Sequence, residues 1–588
     1  MCGIMYASGI VDPSAFEEGF RAIAHRGPDQ HRILADDHGI FGFHRLAIMD
    51  VSEAGMQPFV KDGVTLMVNG EIYNEHALKA RYADYPYQGH SDCEVLMPLY
   101  HDKGKDLCLE LDAEFAFVLV DGPGQHILAG RDPIGIRPLF YGYQKSTGAI
   151  AFASEAKALM PLCAKIYPFP IGTVYVDGSF VRYHDITITD RPTLKDPEAI
   201  KQAIREGLSE AVSKRRMSDV PVGYLLSGGL DSSLVCAIAA RQTKEPLTTF
   251  SIGMTTDAID LSYAALVAKH LGTDHHEILM TEKMVMDALP EVVRMLETYD
   301  ITTIRASLGM YLLCQGIRRV SDIKVLLSGE ISDELFGYKY TDYAPSAQAF
   351  QEESLKRLRE LYEYDVLRAD RCIAAWSLEA RVPFGDLRFV ADVLAIDPAM
   401  KLNTKAMGKY WLREAFAEGD VLPPAILWRD KAAFSDAVGH SMVDALKAMA
   451  ESKYTDEEFA SKAAAYSHCP PISKEALWYR ELFESFYPHQ SHWLSAYWMP
   501  NPEWVGTAVN DPSARVLANY GASGHALKSD SPEESLCLED RDDVEQGRQQ
   551  RHKQVIQAIG GNGFHSGGDH GNQDQYRPVD HTQLPAQV

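Results

Sequence analysis

The chain has 588 residues, a length that favours more than one domain and allows two independent cores. Hydrophobic residues make up 46% of it and charged residues 24%, so most of the chain is expected to be globular. The formal net charge of −25 argues against nonspecific nucleic-acid binding, because such binding needs Lys and Arg to neutralise phosphates.

The cysteines and the hydropathy pattern favour a protein of the cytoplasm. The nine cysteines are an odd number without CxxC pairs, which argues against a disulfide scaffold and a structural zinc site. No apolar run is long enough to span a bilayer, and the N-terminus lacks the charged-then-apolar pattern of a signal peptide. We therefore expect a cytoplasmic protein with neither a membrane nor a nucleic-acid partner.

Cys2 directly follows the initiator Met, so removal of Met1 would give one residue both a thiol and a free α-amine. An α-amine titrates near pKa ~8 and can accept the thiol proton at cellular pH. A second-position Cys on its own is more often a coincidence, but further motifs follow in order along the chain. They are His25-Arg26-Gly27-Pro28-Asp29, His44-Arg45-Leu46-Ala47-Ile48, Asn69-Gly70-Glu71-Ile72-Tyr73-Asn74, Ser91-Asp92-Cys93-Glu94, residues 130–139 and residues 152–157.

Together with the N-terminal cysteine, these motifs resemble the glutaminase domain of class II glutamine amidotransferases. The resemblance implies that the N-terminal Cys is the nucleophile. It also implies that the side chain of Asn69 and the backbone N–H of Gly70 form the oxyanion hole. Arg45 would bind the α-carboxylate of glutamine bidentately, and Asp92 with Glu71 would bind its α-ammonium.

Residues 2–190 also carry the strand pattern of such a domain. Alternating apolar runs between Gly and Pro turns predict half-buried strands in layered antiparallel sheets. With the resemblance, they predict an α+β N-terminal-nucleophile sandwich of αββα layers.

Residues 198–510 alternate apolar strands with amphipathic helices, which predicts an α/β domain with a parallel sheet. The most informative stretch is Ser227-Gly228-Gly229-Leu230-Asp231-Ser232-Ser233, which follows an apolar strand and opens a helix. Glycines there let backbone N–H groups approach a phosphate, and the helix N-terminus favours an anion. No Gly-Lys-Ser/Thr closes the loop, so it is not of the Walker type. An ordinary strand-to-helix turn is the plainer alternative.

The loop resembles the pyrophosphate loop of ATP pyrophosphatases, and further motifs narrow the family. These motifs are residues 298–307, 378–384, 427–431, 434–436 and 479–483. From residue 2 to about 510 the chain is similar to glutamine-hydrolysing asparagine synthetases. This resemblance implies that ammonia from glutamine displaces AMP from a β-aspartyl-AMP made from aspartate and ATP. A synthetase that adenylates a different carboxylic acid stays open as the alternative, as does a regulatory protein that only binds.

The resemblance also assigns the residues of the second site. Thr302, Arg305 and Glu330 would hold aspartate or its adenylate. Lys431 would stabilise charge that develops on the phosphate and acyl oxygens. The residues that would bind ATP are Leu225, Ser227, Gly228, Gly229, Asp231, Ser232, Ser251, Gly253, Ser328 and Gly329.

The third strand of this region runs into an acidic loop, residues 328–334, which supplies carboxylates for a metal. Mg²⁺ accompanies a triphosphate and is usually held by one or two protein carboxylates plus phosphate oxygens. We assign Asp231 and Asp333 to it, whereas Glu334 is better explained as an acidic helix N-terminus. The sequence is also compatible with a homodimer.

Four departures from the family pattern surround the expected acid pocket. Ile331 stands where Gly is usual, and a β-branched residue disfavours positive φ. Tyr338 replaces a second Gly, and residues 340–345 replace a usual Tyr-Phe-His-Lys-Ala-Pro. Ser377 and Gly385 replace the Gly and Leu that usually flank Ala-Arg-Val-Pro-Phe. These departures bear on the identity of the acid more than on the reaction.

Residues 511–588 are polar, Gly-rich and poor in aromatic side chains. Such a composition buries too little apolar surface to offset the entropy of ordering, so a disordered tail is expected. The irregular spacing of the histidines in this region favours disorder over metal binding.

Overall fold

The computed structural model describes residues 1–430 and 439–521, and all of these belong to one compact unit. The predicted catalytic Lys431, the motif at residues 434–436 and the predicted tail from residue 522 onward lie outside the described residues. None of the helices in the described ranges combines the length and the apolar character needed to cross a bilayer.

The first domain contains two six-stranded antiparallel sheets. The first sheet consists of β1 (Gly3–Ser8), β2 (Gln30–Asp36), β3 (Gly39–Arg45), β8 (Phe140–Gln144), β9 (Ile150–Ala153) and β10 (Cys163–Pro168), in the order β10-β8-β9-β1-β3-β2. The second consists of β4 (Phe59–Lys61), β5 (Val64–Ile72), β6 (Ala113–Asp121), β7 (His126–Arg131), β11 (Thr173–Val176) and β12 (Ser179–Arg182), in the order β12-β11-β7-β6-β5-β4.

The two sheets pack face to face and helices cover their outer faces. Side chains from both sheets, such as Phe43 and Val118, share one buried cluster between them. On the outer face of the first sheet, α1 (Pro13–Ala22) buries Phe16 and Phe20. On the outer face of the second lie α2 (Glu75–Arg81) and α3 (Leu96–Lys103). The predicted αββα sandwich is confirmed.

The second domain is built on a five-stranded sheet, all parallel, in the order β15-β14-β13-β16-β17. Its strands are β13 (Val222–Leu225), β14 (Thr248–Met254), β15 (Asp274–Met280), β16 (Val325–Leu327) and β17 (Glu379–Arg381). The fully buried β16 and β17 fit a sheet that is covered on both faces, because strands of this kind lack a solvent side. The predicted α/β class is confirmed.

Helices surround this sheet. Those before and beside the acidic loop are α4 (Pro197–Arg215), α5 (Leu230–Arg241), α6 (Asp260–Leu271), α7 (Glu282–Leu296), α8 (Ile301–Val320), α9 (Ser332–Phe336), α10 (Ala347–Glu360) and α11 (Asp365–Ala374). The later ones are α12 (Leu387–Leu394), α13 (Pro398–Lys401), α14 (Tyr410–Ala415), α15 (Pro424–Leu427), α16 (His440–Lys453), α17 (Asp456–Ala463) and α18 (Lys474–Phe486).

Residues 511–521 are packed against the second domain, so the prediction of a disordered tail starting at residue 511 is wrong for them. Asp511 forms an ion pair with Arg305, at 3.0 Å. Leu517 is buried in a cluster with Tyr340 and Trp504. The polar, Gly-rich composition of residues 511–588 as a whole gave no sign that Asp511 and Leu517 would contact the second domain.

Candidate active sites

Cys2 precedes β1 and lies beside the second domain. Its thiol is half-buried, with Sγ 3.7 Å from the carbonyl oxygen of Leu46, and burial raises the pKa of this thiol. Met1 is buried, and its ammonium donates to the carbonyl of Leu378 at 3.1 Å. While Met1 is present, the nitrogen of Cys2 is an amide, so it gains a basic α-amine only when Met1 is removed.

Asn69 and Gly70 lie on β5, next to β6. The side chain of Asn69 is 1% exposed, and neither its Nδ2 nor its Oδ1 has a hydrogen-bond partner within residues 1–430 and 439–521. An unpartnered buried amide costs roughly 1–3 kcal/mol, so it is typical of a group reserved for a ligand. Gly70 is required by packing as well, because a Cβ there would lie 2.4 Å from the carbonyl oxygen of Glu114.

The two carboxylates predicted to hold the α-ammonium of glutamine are both buried. Oδ2 of Asp92 accepts a hydrogen bond from the backbone N–H of Ile72 at 2.8 Å, and burial raises the pKa of Asp92 to about 6. Glu71 forms an ion pair with Arg381 of the second domain at 3.0 Å. Burial also raises the pKa of Glu71, although Arg381 opposes this shift.

Arg45, the predicted partner of the α-carboxylate, is engaged by its own surroundings. Its guanidinium donates to Oε1 of Gln30 and to the carbonyl of Ser52, both at 2.7 Å, and to the carbonyl of Asp50. These bonds close the loop that follows β3. Three of the five guanidinium N–H groups of Arg45 are therefore engaged within the protein.

One cavity of about 220 Å³ lies at the carboxyl ends of β13, β14 and β16, where ligands of such sheets bind. The predicted residues on its wall are Leu225, Ser227, Gly229, Asp231, Ser232, Ser251, Thr302, Arg305, Ser328, Gly329, Glu330 and Asp333. Gly228 and Gly253 instead accommodate close packing, because a Cβ at either would come within 2.4 Å of a neighbouring atom.

The loop after β13 is ordered by its own serines. Oγ of Ser232 lies 3.0 Å from Oγ of Ser227 and accepts a hydrogen bond from the backbone N–H of Ser227 at 3.2 Å. The loop also touches the acidic loop after β16, because a Cβ at Gly329 would lie 2.7 Å from the nitrogen of Ser232. The two predicted phosphate and metal loops therefore form one continuous surface.

Lys409 is a site residue that the sequence did not reveal. It precedes α14, is 6% exposed, and its Nζ lies 2.7 Å from Oδ1 of Asp231 and 2.5 Å from Oδ1 of Asp333. It also donates to the hydroxyl of Ser332 at 2.9 Å. A single Lys in a sequence is normally a solvated surface charge, and only the fold shows that this one joins the two predicted metal ligands.

Arg305 and Glu330, predicted to hold aspartate, are engaged in buried ion pairs. Arg305 donates to both carboxylate oxygens of Glu475 and to both of Asp511, so two edges of its guanidinium are occupied. Glu330 pairs with Arg368 at 2.5 Å. Thr302 lies in the first turn of α8, on the cavity wall.

Two of the departures from the family pattern compensate each other. Ile331 has φ +79°, the conformation that Gly would adopt without strain, and it is buried. A Cβ at Gly385 would lie 2.8 Å from Cδ1 of Ile331. The larger residue at 331 thus occupies space that a larger residue at 385 would need, and Ile331 also lies on the cavity wall.

Ser377, another departure, joins the two domains. It has φ +57°, again where Gly is usual, and its hydroxyl donates to the carbonyl of His25 at 2.7 Å. Tyr338 and Tyr340 lie on the cavity wall. Tyr340 donates to Oε1 of Glu353 at 3.2 Å.

The fold and the two sites define a class of protein, in which an N-terminal-nucleophile domain is joined to a nucleotide-binding α/β domain. Family models match both parts: a glutamine amidotransferase domain over residues 1–174, and asparagine synthase over residues 203–348 and 342–508. The chain belongs to the asparagine synthase family.

Several relatives match most of the chain. A probable glutamine-hydrolysing asparagine synthetase of Dictyostelium discoideum is 41% identical over 88% of this chain and 98% of its own length. The human glutamine-hydrolysing asparagine synthetase is 41% identical over 88% of this chain and 99% of its own. Asparagine synthetase B of Escherichia coli is 42% identical over 80% of this chain and 87% of its own.

Proposed function

We propose that this chain makes asparagine from aspartate, ATP and ammonia that it releases from glutamine. The observation that carries the proposal is the single cavity that unites the phosphate loop after β13, the Lys409 cluster and the first turns of α8. Membership of the asparagine synthase family and 41% identity to glutamine-hydrolysing asparagine synthetases, over most of their length, support the same reaction.

In the first domain, Cys2 acts after Met1 is removed. The α-amine of Cys2 accepts the thiol proton, and the thiolate attacks the side-chain amide of glutamine. Nδ2 of Asn69 and the N–H of Gly70 stabilise the oxyanion, and this role explains the unpartnered Asn69 amide. Asp92 binds the α-ammonium. Collapse of the tetrahedral adduct breaks the C–N bond and releases ammonia, which leaves a thioester on Cys2. Water then hydrolyses the thioester to glutamate and regenerates the thiol.

In the second domain, the side-chain carboxylate of aspartate attacks the α-phosphorus of ATP and pyrophosphate leaves. The product is β-aspartyl-AMP, and attack of ammonia on its acyl carbon releases AMP and gives asparagine. Ser227 and Ser232 lie where they can bind phosphate oxygens. Lys409 neutralises charge on the leaving pyrophosphate. Lys431, outside the described residues, keeps its predicted role as part of the proposal.

The carboxylates Asp231 and Asp333 fit a magnesium ion. Both lie within reach of one cationic atom, Nζ of Lys409, so the site already gathers negative charge around a cation. Mg²⁺ is usually held by one or two protein carboxylates, and phosphate oxygens would complete its coordination here. Bound Mg²⁺ supplies charge neutralisation for the triphosphate.

The metal assignment is tested with Asp231→Asn. Removing one carboxylate is expected to lower aspartate-dependent ATP–pyrophosphate exchange about a thousandfold. Basal glutaminase turnover is expected to stay near the wild-type rate, because Cys2 lies in the other domain. Undiminished exchange in this variant would exclude Asp231 as a ligand.

The proposed reaction is tested by ATP–pyrophosphate exchange across a panel of carboxylic acids, since exchange reports adenylation alone. Aspartate is expected to support exchange and glutamate, malate and β-alanine to support far less. If aspartate gives no exchange while another acid does, the alternative synthetase is correct. Association into a homodimer stays a prediction, which the mass of the protein in solution tests.

A further inference from the structure

We propose that residues 511–521 complete the acid-binding side of the synthetase cavity, and that Asp511 is the positioning residue that holds Arg305 there. We call residues 511–521 the C-terminal strap. This inference rests on the proposed function, because it gives the strap a part in binding the acid. The match to the family model for asparagine synthase ends at residue 508, shortly before the strap.

The first observation is the geometry around Arg305. Nη1 and Nη2 of Arg305 each donate to one oxygen of Asp511, both at 3.0 Å. On the adjacent edge, Nε and Nη2 donate to the two oxygens of Glu475, at 2.9 and 2.6 Å. Two bidentate pairs at one guanidinium fix both its position and its plane. Without Asp511, the guanidinium would keep one of these two supports.

The second observation is the charge balance of this cluster. Lys447 also pairs with Asp511, at 2.8 Å, so two cations face two carboxylates. Burial alone would raise the pKa of Asp511, but the hydrogen bonds from Arg305 and Lys447 lower it well below its usual range. Asp511 is therefore ionised at neutral pH, where it pairs with both cations.

The third observation is that the strap forms part of the cavity wall. Pro512, Ser513 and Ala514 line the same cavity as Thr302 and Arg305. Asp511 therefore holds Arg305 and also brings the next three residues to the wall. Loss of this contact would remove both a fixed charge and part of the pocket surface.

The fourth observation concerns the surface on which the rest of the strap docks. Nδ2 of Asn519 donates to the carbonyl of Lys339 at 2.7 Å and to Asp342 at 3.0 Å, and its backbone N–H donates to the hydroxyl of Tyr343 at 3.0 Å. Leu517 packs in a cluster with Tyr340. These docking residues include members of the segment that departs from the family pattern. Asp342 and Tyr343, two of the residues that depart from the family pattern, thus hold the strap.

With both edges occupied, Arg305 cannot grip a substrate carboxylate bidentately in this arrangement. It acts instead as an oriented positive charge on the wall, and the acid binds while the strap is docked. The opposite arrangement, in which the acid displaces Asp511, predicts the opposite change in affinity. The sign of the effect of removing Asp511 therefore separates the two.

The test uses the full-length chain with Asp511→Asn, which keeps the shape of the side chain and removes its charge. In ATP–pyrophosphate exchange, we expect the KM for aspartate to rise about tenfold while the KM for ATP changes less than about twofold. Asp511→Glu, which restores the charge, should recover part of the loss. Asp287→Asn is the matched control, because it removes an exposed carboxylate paired with Lys283 on α7.

Glutaminase turnover measured on the same samples reports whether the variants fold. A fall in the KM for aspartate would show that Asp511 competes with the acid, and an unchanged KM would show that the strap has no part in binding; either result overturns the inference. If Asp511→Asn does not fold, Lys447→Met removes the second cation that holds Asp511 in place, and an unchanged aspartate KM in that variant would also contradict the inference. Absence of aspartate-dependent exchange in the wild type would instead contradict the proposed function.

Discussion

Asp92 carries its raised pKa of about 6 because burial opposes its charge. A carboxyl group has an ordinary pKa near 3.9, so ionised Asp92 is less stable in the folded protein than in the unfolded chain. This cost in folding stability is present above about pH 3.9, where Asp92 of the unfolded chain is already ionised. A buried carboxylate of this kind becomes favourable when an ammonium group pairs with it, which fits its proposed role in binding glutamine.

The raised pKa predicts a pH dependence of the glutaminase reaction. Below about pH 6 Asp92 is protonated and loses its attraction for the α-ammonium, so kcat/KM for glutamine should fall about tenfold per pH unit. ATP–pyrophosphate exchange with aspartate, measured over the same range, serves as the control because it does not use Asp92. A glutamine profile that runs flat down to about pH 5 would contradict the role given to Asp92.

Ile331 and Gly385 lead to a stability prediction. Gly385→Leu alone should destabilise the protein by about 1–3 kcal/mol, because the new side chain meets Cδ1 of Ile331. Adding Ile331→Gly should restore most of this loss, since it vacates that space and relieves a positive φ. Denaturant unfolding of the single and double variants gives the coupling energy. A coupling near zero would show that the two departures are independent.

The residues of the candidate sites could be named from the sequence, but the residues that contact them could not. The positions on the cavity wall could be named because the order of motifs is specific to the family. The partners of Arg305 could not, because Glu475 and Asp511 lie 170 and 206 residues away along the chain. Lys409 was missed for the same reason, since its meaning depends on Asp231, which lies 178 residues earlier.

At the scale of elements, the hydrophobic pattern located β16 but not β15 (Asp274–Met280), so the strand predicted as the third of its region is the fourth. Strand β16 was expected as an apolar run ending at Leu327, and it spans Val325–Leu327. β17 is only three residues long, and its Glu-Ala-Arg sequence lacks any strand pattern. Its two charged side chains are buried because they pair with residues far away in the sequence, Arg381 with Glu71 at 3.0 Å and Glu379 with Arg137 at 3.6 Å, so tertiary contacts override composition there.

The C-terminal strap supplies a prediction at this scale. A chain that ends after Gly521 retains every strap contact described above, so its melting temperature and its aspartate-dependent exchange should match those of the full chain. A chain that ends after Asn510 loses the Asp511 pair and the packing of Leu517, and both properties should fall. Equal behaviour of the two truncated chains would show that residues 511–521 contribute nothing to the folded enzyme.

At the scale of the whole molecule, buried ion pairs join the two domains. Arg26 pairs with Glu155 of its own domain and with Asp370 of the other, at 2.7 and 2.8 Å. Arg381 pairs with Glu71 of the glutaminase site, while its carbonyl accepts a hydrogen bond from the N–H of Ser328 on the synthetase cavity at 3.0 Å. One residue of β17 thus touches both candidate sites. Removing one partner from such a buried pair typically costs about 3–5 kcal/mol.

The sequence predicted two domains with separate chemistry, and it could not predict this shared interface. Each charged residue of the interface has an ordinary explanation when it is considered alone, as a surface ion pair or a helix cap. Only the fold shows that Glu71 faces Arg381 across the domain boundary.

The most direct test of the two-site account is asparagine formation by full-length Cys2→Ala, supplied with aspartate, ATP and either glutamine or an ammonium salt. If the two sites act separately, no asparagine forms from glutamine, because the nucleophile is missing. Synthesis from ammonium continues at a rate near that of the wild type, because the synthetase cavity contains no part of Cys2. Loss of ammonium-dependent synthesis in a folded Cys2→Ala protein would show that the two sites do not act separately.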